Sequence, residues 1–265
     1  IIARGRNIIA VGERSSGKTL GYLLPLLSLL LDMWPCIKLE AGIHLGAVVI
    51  IVCKGWRAAQ SVGATCVDLL SGTNIKVLAT WGGFGKTRQH EMEKAVHRGT
   101  DVLVTTLPFL LRLIGLSDDE DRKKVNFDVL SHCFHLVIDD ADVIMENDPN
   151  GVKLLLREWA SSRAKSNCSH FSQQLIITGS TWTNYIDSLE KFLSPLLGQS
   201  IVISSPLEAA CAALVSSEVL ACASSTGLEI FQDAVKIVKD RFSKMKTMIF
   251  VKNFSDLKKL SIIYT

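Results

Sequence analysis

Gly12-Glu13-Arg14-Ser15-Ser16-Gly17-Lys18-Thr19 fits the spacing G-x-x-x-x-G-K-[ST], a loop built to hold phosphate. Backbone N–H groups of such a loop turn toward an anion, and the helix behind it adds its positive N-terminal end. On this reading Gly12, Ser15, Ser16, Gly17, Lys18 and Thr19 form a nucleotide cradle. Lys18 reaches the β- and γ-phosphates, and the Thr19 hydroxyl ligates Mg2+. Ser15 stands where many such loops have glycine. If that position needs a positive φ, serine costs stability or closes the loop. The second reactive group is acidic. Leu136-Val137-Ile138 runs into Asp139-Asp140-Ala141-Asp142, and an apolar strand ending in carboxylates is the usual partner of a phosphate loop. Asp139 would hold Mg2+ through water, and Asp140 would orient or deprotonate the attacking water. Alone, these aspartates would equally suit a solvated turn or a helix cap; beside Lys18 and Thr19 they read as a site.

Such groups need a rigid frame. Short, continuous apolar runs at Asn7–Val11, Ala47–Val52, Lys76–Ala79, Val102–Thr105, Leu136–Ile138, Leu175–Thr178 and Ser200–Ile203 read as strands covered on both faces. Helical patterns lie between them at Lys18–Leu31, Arg57–Leu70, Thr87–Arg98, Phe109–Ile114, Gly151–Ser162 and Trp182–Pro195. This alternation predicts an α/β fold, a mostly parallel sheet with helices on both faces. Ligands of such sheets bind at the carboxyl ends of the strands, where both groups fall. Leu116–Asn126 reads as a charged surface insert. A second unit is expected to begin near Pro206–Ala213, with strands at Val215–Ala223 and Thr247–Val251 around a helix at Leu228–Phe242.

The 265 residues allow one large domain with part of another, and 48% apolar against 21% charged residues fits a packed globular chain. The Leu20–Leu31 stretch contains Pro25 and is too short to span a bilayer, so no membrane partner is expected. A net charge of +3 permits a polyanionic partner without requiring one. The seven scattered cysteines form no C-x-x-C pair and suit reduced thiols. His132, Cys133 and His135 lack a second ligand pair, which favours core packing over a metal site. The chain opens and closes inside structured-looking sequence and reads as a fragment.

In chain order, the motifs resemble those of the DEAD-box RNA helicases. Gly17-Lys18-Thr19-Leu20 with Tyr22–Leu27 looks like motif I and its helix, and Gln60 falls where motif Ia ends. Trp81-Gly82-Gly83 resembles the family's GG element, and Val104-Thr105-Thr106 sits where motif Ib begins. Asp139-Asp140-Ala141-Asp142 stands for the Asp-Glu-Ala-Asp box, Gly179-Ser180-Thr181 for Ser-Ala-Thr, and Thr247–Asn253, with Ile249-Phe250-Val251, for motif IV. The likeness implies a RecA-like domain over residues 1–205 and, over 206–265, a linker with the beginning of a second one. It implies ATP and Mg2+ as ligands and single-stranded RNA as partner, with protein partners through further domains. It also implies a cytoplasmic place, ribonucleoprotein granules included. Asp142, Ser180 and Thr181 would couple the nucleotide to the domain interface.

The departures bear on activity. Motif Ia usually reads Pro-Thr-Arg-Glu-Leu-Ala and here reads Cys53-Lys54-Gly55-Trp56-Arg57-Ala58; motif Ib usually continues Pro-Gly-Arg and here reads Leu107-Pro108-Phe109. Lys54, Arg57 and Arg112, with Gly82, Gly83 and Thr106, are the candidate RNA contacts. Asp140 is one methylene shorter than the family's glutamate. A phosphate loop kept beside eroded RNA and catalytic motifs resembles the helicase-like domains of Tudor-containing piRNA-pathway proteins, such as the Yb group. The expected function is an ATP-dependent RNA-binding motor with Lys18 and Asp140 catalytic. The alternative is a weakly active or inactive helicase-like scaffold for RNA or protein. A small-molecule P-loop kinase is a third reading, and it leaves the motif III and motif IV look-alikes unexplained.

Overall fold

The computed structural model describes residues 2–41, 47–83, 86–116, 129–163 and 173–204, with Lys236 and Asp240 beyond them. After a 3-10 turn at Ile2–Arg4, strands and helices alternate as β1 (Ile8–Val11), α1 (Lys18–Ala41), β2 (Val49–Cys53), α2 (Trp56–Leu69), β3 (Val77–Ala79), α3 (Lys86–His97), β4 (Val102–Thr106), α4 (Leu107–Leu113), β5 (His135–Ile138), α5 (Ala141–Asn147), α6 (Pro149–Arg163), β6 (Gln174–Gly179), α7 (Asn184–Leu197) and β7 (Ile201–Ser204). The strands form one sheet in the order β3-β4-β2-β5-β6-β1-β7. Every described pairing is parallel. All seven strands expected before residue 205 are present.

Successive strand residues point to opposite faces, so each apolar run feeds two cores. Ile50, Val52, Leu103, Leu136, Ile138 and Ile177 pack under α4–α7. Val49, Ile51, Val102, Val104, Val137 and Ile176 pack under α1 and α2. This is why the runs are continuous and not alternating. Trp159 of α6 is fully buried and donates its indole N–H to the Cys133 carbonyl at 2.9 Å, tying α6 to the entry of β5. Gly63 brings α2 onto β3 so closely that an added Cβ would lie 2.5 Å from that of Ala79.

Two elements differ from expectation. α1 continues past Leu31 to Ala41. The short α5, unanticipated, follows directly from the acidic strand end and meets α6 at Asp148, whose Oδ1 accepts the Gly151 N–H at 2.8 Å while Pro149 opens α6. Asp148 and Pro149 are ordinary helix-start residues. With α5 running straight into them, their sequence signal marks one helix start and hides the other.

By compactness the chain divides into two units, Ile1–Ala212 and Ala213–Thr265. Lys236 and Asp240, both helical, fall within the expected helix Leu228–Phe242. The motif IV stretch Thr247–Asn253 and the strand expected at Val215–Ala223 lie outside the described residues, as does nearly all of the Leu116–Asn126 insert.

Candidate functional site

Strand register decides what can meet at the carboxyl edge. Ile9 lies beside Ile177, and Ile177 beside Ile138. One step further along, Thr178 of β6 therefore stands between Ala10 of β1 and Asp139, the residue after β5. Thr178 Oγ1 donates to Asp139 Oδ1 at 2.5 Å, and the Asp140 N–H donates to Thr178 Oγ1 at 3.2 Å. Lys18, Tyr22 and Thr178 also line one cavity of about 370 Å3 behind the phosphate loop. The loop and the acidic strand end thus share a neighbourhood built around Thr178. Sequence reasoning passed over that residue, whose signal was a hydroxyl just before Gly179-Ser180-Thr181.

The phosphate loop leaves β1 through Gly12, whose N–H donates to the Gly179 carbonyl at 3.1 Å. Ser15 has φ 62° and Gly17 φ 83°. Serine therefore sits in the left-handed region where glycine is at ease, at a cost of about 1–2 kcal/mol for an L-residue. Ser15, Ser16 and Gly17 are exposed, while Lys18 and Thr19, opening α1, are half-buried. The Lys18 ammonium folds back on its own loop, donating to the carbonyls of Gly12 and Glu13 at 2.5 Å and to Ser16 Oγ at 3.4 Å.

Asp139 is buried, and its backbone N–H donates to the Val52 carbonyl at 2.8 Å. Burial pushes its carboxyl above the usual range, with the neighbouring Asp140 adding to the rise, while the Thr178 and Tyr22 hydroxyls and Lys54 pull the other way. Asp140 turns the chain sharply into α5 with φ 56°. Its carboxylate pairs with Lys54 Nζ at 2.7 Å. Lys54, expected from the sequence as an RNA contact, is engaged here by the box carboxylate.

Asp142 is buried in the first turn of α5, and its Oδ2 accepts the Ser180 N–H at 3.1 Å and the N–H and hydroxyl of Thr181 at 3.4 Å each. The acidic box and the residues after β6 are therefore joined directly. The other candidates stand further along the same edge. Thr106 ends β4 and is buried. Gly82 and Gly83 follow β3, and the Arg112 guanidinium reaches to 3.8 Å from where a Gly82 Cβ would lie. Trp56 and Trp81 pair here, with Arg57 over the Trp56 ring. Neither tryptophan was anticipated at the site. His135 is buried at the opposite, entry end of β5, and the described residues contain no group of three or more His, Cys, Asp and Glu that could hold a metal among them.

The model of the DEAD/DEAH box helicase family matches residues 1–189. The chain belongs to that family. DEAD/DEAH relatives include a pre-mRNA-splicing ATP-dependent RNA helicase, PRP28, of Yarrowia lipolytica, 28% identical over 161 residues. Another is the human ATP-dependent RNA helicase DDX42, 29% identical over 138 residues. These stretches cover 60% and 52% of this chain but only 26% and 13% of those proteins. Among solved structures, a hypothetical ATP-dependent RNA helicase from Sulfolobus tokodaii aligns with a TM-score of 0.54 at 20% identity, over 77% of this chain and 49% of that one. The yeast DEAD-box splicing factor Prp28 aligns at 0.57 and 15%, over 98% of this chain and 60% of that one. Together with the seven-stranded parallel sheet, these likenesses establish the RecA-like fold.

Proposed function

We propose that this DEAD/DEAH chain is the nucleotide-binding half of an ATP-dependent RNA-binding motor. One observation carries the reading: Thr178 joins Asp139 and Asp140 beside the cavity that Lys18 lines, and Asp142 grips Ser180 and Thr181 next to it. Lys18 would neutralise the β- and γ-phosphates once it exchanges its loop carbonyls for them. Asp139 offers only hard oxygens from a buried position, and the Thr19 hydroxyl opens α1; this donor chemistry fits Mg2+. The ion would supply charge neutralisation across the phosphates. Asp140 would orient the attacking water, and the Asp142–Thr181 contacts would carry the state of the nucleotide to the domain interface. Residues 206–265 would begin the second RecA-like domain. Single-stranded RNA would lie along the carboxyl ends of β2, β4 and β3, and the cytoplasm is the compartment we assign.

Isothermal titration with MgATP tests the core of this. Lys18→Ala should remove binding without altering the fold, because Lys18 lies at a loop–helix junction outside both cores. Equal binding by both proteins, or none by the wild type at millimolar ATP, refutes it.

A second reading is supported by specific geometry. Ser15 in the left-handed region and Asp140 held by Lys54 favour a helicase-like scaffold that binds RNA or protein with little turnover. The narrower placement with the Tudor-containing Yb group rests on the erosion of the RNA motifs alone. Phosphate release by the full-length protein, with and without saturating RNA, separates motor from scaffold.

A further inference from the structure

Trp56 opens α2 directly after the Cys53-Lys54-Gly55 turn and keeps 49% of its surface in water. A single exposed indole is ordinary, and Trp182 keeps 41% of its surface in water; what sets Trp56 apart is its neighbours. Trp81, in the turn after β3, is half-buried, and its ring centroid lies 6.4 Å from that of Trp56 at an interplanar angle of 35°. That distance is within the range of an ordinary aromatic pair. The Arg57 guanidinium stands over the Trp56 ring, 5.1 Å from its centroid.

The placement follows from the sheet. β2 and β3 flank β4 and run parallel to it, so their following turns emerge at one edge, with Thr106 at the end of β4 between them. This is the edge that carries the phosphate loop. Arg57 follows Trp56 directly, and Arg112 reaches Gly82, the residue after Trp81, while Lys54 is held by Asp140. An aromatic surface is therefore set among cations. Gly83, at φ 95°, follows with an added Cβ meeting nothing within 4 Å, so its backbone is open to close approach. Indole faces beside the Arg57 and Arg112 guanidinium groups match a nucleobase attached to phosphate, through stacking and charge at once. A cationic ligand such as a methylated ammonium would meet Arg57 over the same ring and be repelled.

We propose that Trp56 and Trp81, steadied by Arg57, form a stacking platform that takes an unpaired nucleobase of single-stranded RNA. The inference rests on the RNA-binding reading and adds to it a contact through the base.

Fluorescence anisotropy on the full-length protein tests it with two probes: a short labelled oligouridine and the same strand made abasic throughout. Phosphate charge is shared, so any difference reports the bases. Wild type should bind the oligouridine about tenfold more tightly than the abasic strand, as one stacked base is worth. Trp56→Ala should lose that tenfold on the oligouridine and change abasic binding little, while Trp56→Phe should retain most of it. Because half of Trp56 is exposed and it lies outside both cores, its truncation should leave a cooperative unfolding transition only slightly lowered in temperature, which separates loss of stacking from loss of fold. Equal binding of the two probes by wild type, or an equal loss on both in Trp56→Ala, would overturn the platform and leave RNA binding standing. If wild type binds neither strand, the RNA reading falls and the platform falls with it.

Discussion

At the scale of single residues, the acidic box shows two carboxylates in adjacent positions with different surroundings. Asp139 is buried against Thr178 and Tyr22, and Asp140 is partly exposed and paired with Lys54. The buried one suits a metal; the accessible one suits a water. Asp140 reaches less far than glutamate by one methylene, and its oxygen is already engaged by an ammonium. If the full-length protein turns over ATP, Asp140→Glu should raise steady-state phosphate release at saturating RNA, because reach returns without added charge. Asp140→Asn should abolish release yet spare MgATP binding, and positioning a general base is typically worth about a hundred- to ten-thousandfold. Lys54→Met should lift turnover in the absence of RNA, since the cation that holds the carboxylate is gone. A wild type faster than Asp140→Glu would contradict the reach argument, and turnover at background in every variant would support the scaffold.

At the scale of elements, β5 carries the acidic box at one end and a buried titratable group at the other. His135 enters the strand with 4% of its surface exposed. Burial pushes its imidazole down from 6.5 to about 4, with the neighbouring Gln174 opposing the shift. In the fold it stays neutral down to that value, whereas the unfolded chain takes up its proton below about 6.5. The unfolded state thus binds more protons between pH 6.5 and 4, and stability falls as pH drops through that window. The full shift corresponds to an upper bound of about 3 kcal/mol from this group. Urea unfolding midpoints should decline from pH 7 to pH 4.5, and His135→Leu should flatten that decline. An unchanged slope in the variant would assign the pH dependence to other groups.

At the scale of the whole molecule, both cores and every described site contact lie within the first compact unit. A fragment ending at Ser204 keeps all seven strands and both helix layers. It should therefore unfold cooperatively, with a denaturant midpoint close to that of the 265-residue chain, as measured by circular dichroism. A fragment that fails to fold, or unfolds in a broad transition, would mean that residues 206–265 complete the first domain and do not begin a second.

The sequence by itself determined the frame. Continuous β-branched runs at fixed intervals require strands buried on both faces, and a G-x-x-x-x-G-K-T loop between the first strand and a helix defines a phosphate cradle, because both signals are local in the chain. The resemblance to DEAD-box helicases likewise rests on short motifs in order. The tertiary structure alone decided which side chains meet. Thr178 stands 38 residues after Asp140, and Trp56 and Trp81 emerge from strands separated by β4. Lys54 was legible as a cation for RNA and is found against Asp140, because strand order places the end of β2 next to the end of β5. Ser15 and Asp140 were legible as departures from glycine and glutamate, but their left-handed backbones are imposed by the sharp turns from β1 and β5 into the helices that follow. Contacts of that kind depend on register between distant segments, and a linear pattern of residue types carries no register.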